Sequence, residues 1–180
     1  MRITGGTLRG RQVKVPGGSI RPAMDRMRES VFAVLGEFAG ASFLDIFSGS
    51  GIIALEAASR GAAYIEAVEM DPLKREALLS NVKISPVRIF CRFMSAELYI
   101  KRAKRPFDII FCDPPFPYKY KWELVQSIAA SPLMEEGTRL LLHCPQGEFR
   151  DKPEGELFLE DSRKYGRSVV NFFKIFRSKI

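Results

Sequence analysis

Histidine is nearly absent from this chain of 180 residues: His143 stands alone. The three cysteines, Cys91, Cys112 and Cys144, are odd in number, widely spaced and without a C-x-x-C pair. That leaves no ligand set for a metal centre and no disulfide framework, so no metal is expected and the thiols read as core residues in a reducing compartment. Nor is there a run approaching the roughly 18 apolar residues of a membrane span. The opening Met1-Arg2-Ile3-Thr4-Gly5-Gly6 has no apolar core of a secretory signal, and the expectation is a cytoplasmic protein that does not touch membrane. Internal repeats and low-complexity tracts are missing too. With 46% apolar and 27% charged residues the composition is that of an ordinary globular chain, and the length suits one principal domain without a separate substrate domain.

Charge is present but unevenly placed. The net charge is +7, yet residues 1–30 carry seven basic against two acidic residues, and 163–180 carry six basic residues and no acid. The stretch between them is net −4. Segregated Lys and Arg are the footprint of a phosphate backbone, so nucleic acid is the expected partner. The candidate contacts are Arg2, Arg9, Arg11, Arg21 and Arg26. Lys119 and Lys121 join them because they interleave with Tyr118, Tyr120 and Trp122, a composition suited to stacking and phosphate contact.

The Gly/Pro-rich stretch 16–22 divides a basic arm, 1–22, from a main domain, 23–180. Loose alternation over 3–7 and 10–15 suggests a small hairpin in the arm. The apolar stripe Met27, Val31, Val34, Leu35 and Phe38 predicts an amphipathic helix over 25–38, with Asp25 as its cap. From there strand-like and helix-like segments alternate. Strands are expected at 43–47, 63–70, 87–93, 107–112 and 138–143, helices at 52–60, 72–82, 96–103 and 120–130. Two final strand-like runs, 156–159 and 168–176, are joined by a polar link containing Tyr165-Gly166. The fold class is therefore α/β: a seven-stranded, mostly parallel sheet with helices on both faces, closed by an antiparallel hairpin.

Two loops carry chemistry. Leu44-Asp45-Ile46-Phe47-Ser48-Gly49-Ser50-Gly51 reads as a strand running into a glycine turn that opens a helix, where free N–H groups face a ligand. Glu69, 20 residues after Gly49, ends the next strand and suits a ribose diol. Gly49-Ser50-Gly51-Ile52-Ile53-Ala54 also satisfies the nicotinamide-dinucleotide pattern, so a dehydrogenase is an alternative. Asp45 favours a cationic cofactor such as S-adenosylmethionine, because a carboxylate there repels a pyrophosphate. The cofactor contacts expected are Asp45, Phe47, Gly49, Gly51, Glu69, Met70, Ser95 and Ala96, with capping of a helix as the other reading of Ser95. The second loop, Asp113-Pro114-Pro115-Phe116, follows the fourth strand on the same sheet edge. Two prolines fix φ and remove N–H donors, leaving acceptors for an amine. Asp113 and the Pro114 carbonyl would accept the N–H bonds of an exocyclic base amine while Phe116 stacks on the base. His143 is read as structural.

These loops resemble class I methyltransferases acting on base amines. Arg2-Ile3-Thr4-Gly5-Gly6, Arg9-Gly10-Arg11, the run from Arg21-Pro22-Ala23-Met24-Asp25 to Arg28-Glu29, and Tyr165-Gly166 narrow the resemblance, over nearly the whole chain, to the RsmD family. The resemblance implies a Rossmann-like fold, S-adenosylmethionine as cofactor, and transfer of methyl to guanine N2 in 16S rRNA, with a partly assembled 30S particle as substrate; the protein is expected to be a monomer. The resemblance also implies that Arg28 and Glu29 shape the cofactor pocket from above. The family has Thr where Ala23 stands and Asp near Ser95. The alternatives are an adenine-N6 methyltransferase and a non-catalytic RNA-binding assembly factor.

Overall fold

The computed structural model describes residues 1–15, 22–148 and 156–176. Its elements run α1 (Pro22–Leu35), β1 (Ser42–Ile46), α2 (Ile52–Ser59), β2 (Tyr64–Val68), α3 (Arg75–Asn81), β3 (Ile89–Arg92), α4 (Ala96–Arg102), β4 (Ile109–Cys112), α5 (Lys121–Ala129), β5 (Arg139–Pro145), β6 (Leu157–Tyr165) and β7 (Ser168–Ile175). The seven strands form one sheet in the order β3-β2-β1-β4-β5-β7-β6. The first five are parallel, and β7 lies antiparallel between β5 and β6. Every residue of β1 and β4 is buried, as a parallel sheet covered on both faces requires. Alternate residues of β1 serve the two sides. Phe43 joins Met27, Val31, Ile53 and Leu78 under α1, α2 and α3, whereas Leu44 and Ile46 join Ile100, Leu124 and Ile128 under α4 and α5. The winding reverses between β1 and β4, and in open α/β sheets ligands sit outside the carboxyl ends of the strands at that point. Both loops singled out in the sequence, at 45–51 and 113–116, end these two strands.

Residues 1–15 form a narrow antiparallel loop with one bridge, Arg2 to Gln12, rather than two strands. Ile3 and Val13 are buried in the α1–α2 core, while Arg2, Arg9 and Arg11 are exposed. The arm docks along α2. Thr7 N donates to the Ser59 carbonyl at 2.7 Å, Leu8 N to Ser59 Oγ at 2.8 Å, and Ser59 Oγ to the Gly5 carbonyl at 2.6 Å. Gly6, at φ +73°, makes this approach possible, since a Cβ there would lie 1.9 Å from the Ser59 carbonyl oxygen. Further on, Lys14 N donates to Asn81 Oδ1 at 3.0 Å, and Asn81 Nδ2 donates to the carbonyls of Lys14 (2.8 Å) and Ser50 (2.9 Å). Covered by the arm above and the sheet below, α2 is buried at every position, Glu56 included.

Several expectations are revised. Asp25 does not cap α1, which begins at Pro22, where a missing N–H costs nothing. Its carboxylate instead accepts from Arg28 at 2.5 Å. Arg28 is committed to structural contacts. It is fully buried, donating from Nε to Glu56 at 3.2 Å and from Nη2 to the Arg2 carbonyl at 2.9 Å, and so ties the arm to α2. Glu29 is exposed. The helix expected over 72–82 opens as a 3-10 turn, Pro72–Lys74, before α3. Strand β6 extends to Tyr165, well past the 156–159 expected. Arg21, the boundary stretch 16–21, and Arg177 and Lys179 of the basic tail lie outside the described residues.

Candidate active site

Asp45 sits on the floor of the glycine turn, buried in β1. Its Oδ2 accepts from Ser48 Oγ at 2.6 Å and Ala54 N at 3.2 Å, which fixes the turn to the first turn of α2. Its Oδ1 is buried with no partner. Burial pushes the carboxyl up from its usual range to about 7. The Ser48 hydrogen bond opposes the shift, the charge of Asp113 adds to it, the Ala54 N–H opposes it and Glu69 adds to it. The folded chain thus holds this proton more tightly than the unfolded chain, so the contribution of Asp45 to stability is fullest below about pH 4 and declines as pH rises through about 7. Asp45→Asn removes that titration. The expected result is a thermal midpoint that falls less between about pH 5 and 8 than that of the wild type. Identical profiles for the two proteins would show that Asp45 holds no such proton.

The turn above Asp45 departs from ordinary backbone. Phe47 takes φ +66°, a conformation uncommon outside glycine, and its ring meets Tyr118 edge-on at 5.5 Å. Gly51, at φ +80°, opens α2, and a Cβ there would lie 2.7 Å from Leu78 Cδ1. The Glu69 carboxylate closes the far side, accepting from Gly49 N and from Asp71 N, both at 2.8 Å. Each of its oxygens retains a second lone pair for a ligand hydroxyl. Met70 beside it is 62% exposed, an apolar side chain open to a flat ring. Ser95 caps α4, with its Oγ accepting from Leu98 N at 3.2 Å, and Ala96 is buried behind it. The residues fit a nucleoside cofactor bearing a cation: an unpartnered buried carboxylate oxygen on one side, a carboxylate with spare lone pairs on the other.

The second loop is tied to the first by Asp113 N, which donates to the Ile46 carbonyl at 3.1 Å. Pro114 is buried, and among the described residues no donor reaches its carbonyl. The carbonyls of Pro115 and Phe116 are occupied, by Tyr118 N at 2.8 Å and Lys121 Nζ at 2.8 Å. The loop therefore offers two free acceptors side by side, Asp113 Oδ2 and the Pro114 carbonyl. The Asp113 side chain is 29% exposed and the Phe116 ring 43% exposed, so both open to a ligand.

His143 was missed as a site residue. Its Nδ1–H donates to Asp113 Oδ1 at 2.8 Å, and its ring meets Phe116 edge-on at 5.7 Å. Its Nε2 is buried without a partner. The signal lay in strand register. Cys112 pairs with Leu142, so the next residues along both strands, Asp113 and His143, fall side by side.

Among the basic residues, Lys119 and Arg26 are exposed, as phosphate contacts need to be. Lys121 is not such a contact. It is 3% exposed, and its ammonium is consumed by the Phe116 and Tyr118 carbonyls and by Glu148, so it braces the loop from within. Trp122 packs on Phe173 at 6.4 Å, leaving Tyr120 as the exposed ring of that group.

The chain is 38% identical over 121 residues to Ribosomal RNA small subunit methyltransferase D of Escherichia coli, a match that spans 64% of this chain and 60% of that protein's length. The protein of the same description from Haemophilus influenzae is 26% identical over 172 residues, 89% of this chain and 87% of the relative. Among solved structures the yhhF protein of Escherichia coli superposes with a TM-score of 0.87 at 27% identity, covering 97% of each chain. A family model described as Conserved hypothetical protein 95 matches residues 1–174, arm and sheet together. Nearly the whole length is thus accounted for, and the chain belongs to that family, the RsmD-type methyltransferases with the Rossmann-like class I fold.

Proposed function

We propose that this protein transfers a methyl group from S-adenosylmethionine to the exocyclic N2 amine of a guanine in 16S rRNA, acting as a cytoplasmic monomer on a partly assembled 30S particle. The observation that carries the reading is the paired loops: the two free acceptors of Asp113 and Pro114 adjoin the glycine turn through the Asp113 N–H bond to Ile46. The names of the Escherichia coli and Haemophilus influenzae relatives support rRNA as the substrate class.

When bound, S-adenosylmethionine supplies an electrophilic methyl on a sulfonium. Asp45, with its unpartnered Oδ1, would hold the positive end, Glu69 would accept from the ribose, and Gly49 and Gly51 would let the backbone approach. An aromatic amine is a poor nucleophile because its lone pair is spread into the ring. Asp113 Oδ2 and the Pro114 carbonyl, accepting its two N–H bonds, draw that pair back onto nitrogen and aim it. Asp113 then receives the proton that the amine sheds. His143 holds Asp113 by its other oxygen, which keeps Oδ2 directed at the amine, and Phe116 stacks on the base once it has left its helix. The exposed cations Arg2, Arg9, Arg11, Arg26 and Lys119, together with Arg21, meet the phosphates.

The test is transfer of labelled methyl to 30S particles lacking the native modification, followed by digestion to nucleosides. N2-methylguanosine is the expected product. N6-methyladenosine would replace guanine by adenine, and tight RNA binding without label would make the protein an assembly factor.

A further inference from the structure

Between residues 88 and 105 the chain carries six basic residues, Arg88, Arg92, Lys101, Arg102, Lys104 and Arg105, against one acid, Glu97. That local excess vanishes when charge is averaged over the net negative middle of the sequence. In the fold it gathers along the β3 edge of the sheet. A cleft of about 290 Å³ there is lined by Arg92, Arg102, Lys104 and Arg105, with Glu66 and Phe107 among its other walls.

The arginines are held on rings. Arg88 lies 4.8 Å and Arg92 5.8 Å from the centre of Phe90, and Arg105 lies 4.1 Å from that of Tyr64 and 5.6 Å from that of Phe107. The rings run on from one another, Phe90 to Tyr64 at 5.2 Å and Tyr64 to Phe107 at 6.0 Å. Stacking fixes the planes of the guanidinium groups while leaving N–H edges free for a flat, bidentate anion.

Local carboxylates do not use up this charge. Glu66 is occupied by Arg92 Nε at 2.6 Å, Tyr64 Oη at 2.5 Å and Tyr99 Oη at 3.1 Å. Asp108 attracts Arg105, but its carboxylate is bound by Ser42 N and Oγ, each at 2.7 Å. No carboxylate of the described residues forms an ion pair with Arg88, Arg102, Lys104 or Arg105. Several oriented, uncompensated cations along one edge match a repeating polyanion better than a single small one.

Position adds to the argument. Tyr64, Phe107 and the body of α4 pack on the α4–α5 side of the sheet, whereas the N-terminal arm packs on the α1–α2 side. Ser95, a candidate cofactor residue, caps helix α4, which ends in Arg102, about 10 Å from Ser95 at 1.5 Å per residue. We propose that this arginine-aromatic edge is a second docking surface for RNA phosphates, gripping the substrate on the side of the sheet opposite the arm. The inference rests on the RNA-methylation reading above.

The combined variant Arg102→Gln, Lys104→Gln, Arg105→Gln tests it. Methyl transfer is measured against the concentration of 30S particles, and binding of deproteinised 16S rRNA between roughly 50 and 200 mM salt. The expected result is a KM raised about tenfold with kcat unchanged, and a log–log salt slope shallower by about 2 to 3. Cofactor affinity and thermal midpoint stay at wild-type values. An unchanged KM and slope would overturn the inference, as would a fall in kcat alone. A raised KM on particles with unchanged affinity for bare rRNA would make the surface a protein contact and overturn it too. Failure of the underlying reading is seen separately, as wild-type protein that neither methylates the particles nor binds rRNA in a salt-dependent way.

Discussion

Asp113→Ala lowers methyl transfer by about 10²- to 10³-fold, a loss of roughly 3–4 kcal/mol of transition-state stabilisation. Affinity for S-adenosylmethionine stays within about threefold, because the cofactor cradle of Asp45, Gly49, Gly51 and Glu69 is built on other strands. The variant removes the oxygen that draws the amine's electrons back to nitrogen and the side chain that His143 fixes. Asp113→Asn keeps one acceptor oxygen and loses less. Single-turnover transfer to 30S particles, with cofactor binding followed by calorimetry, measures both quantities. A normal rate for Asp113→Ala would remove the second loop from the chemistry.

Glu56→Ala acts on stability instead, lowering it by about 3 kcal/mol and the thermal midpoint by roughly 10 °C. Glu56 is fully buried and its carboxylate serves three donors: Thr4 N at 2.7 Å, Arg28 Nε at 3.2 Å, and Arg60 Nη1, which also reaches the Glu56 carbonyl at 3.3 Å. Removing the carboxylate strands the wholly buried guanidinium of Arg28, and breaking one side of a buried pair costs about 3–5 kcal/mol. Asp25 still holds Arg28, which sets the loss at the lower end. Pairing Glu56→Leu with Arg28→Met should cost less than the two single changes added together. Melting the four proteins tests this; additive losses would mean that the two charges do not interact.

The sheet was legible because its signal is local. Each parallel strand is a short apolar run next to a helical stripe, and the glycine turn and proline loop occupy consecutive positions. What escaped depends on distant residues. The partnership of Asp113 with His143 arises from register between β4 and β5, which no single stretch of sequence records. Lys121 has the composition of a surface cation, yet α5 begins there and turns its ammonium onto the carbonyls of the loop before it. The far half of β6 reads as a polar link because Glu160, Asp161, Arg163 and Lys164 belong to an edge strand, where charge discourages pairing with another chain. The basic run 88–105 was hidden by averaging over acidic neighbours.

The docking of the arm also orders events during synthesis. Its hydrogen-bond partners, Glu56, Ser59 and Asn81, lie 51 to 67 positions further along the chain. At about 5–20 residues per second, the arm leaves the ribosome roughly 3–13 s before Asn81 leaves it. Throughout that interval Ile3 and Val13, later buried, have no core to enter. Arg2, Arg9, Arg11 and Lys14, with no acid among residues 1–15, keep the segment hydrated and repel other nascent copies until α2 and α3 arrive.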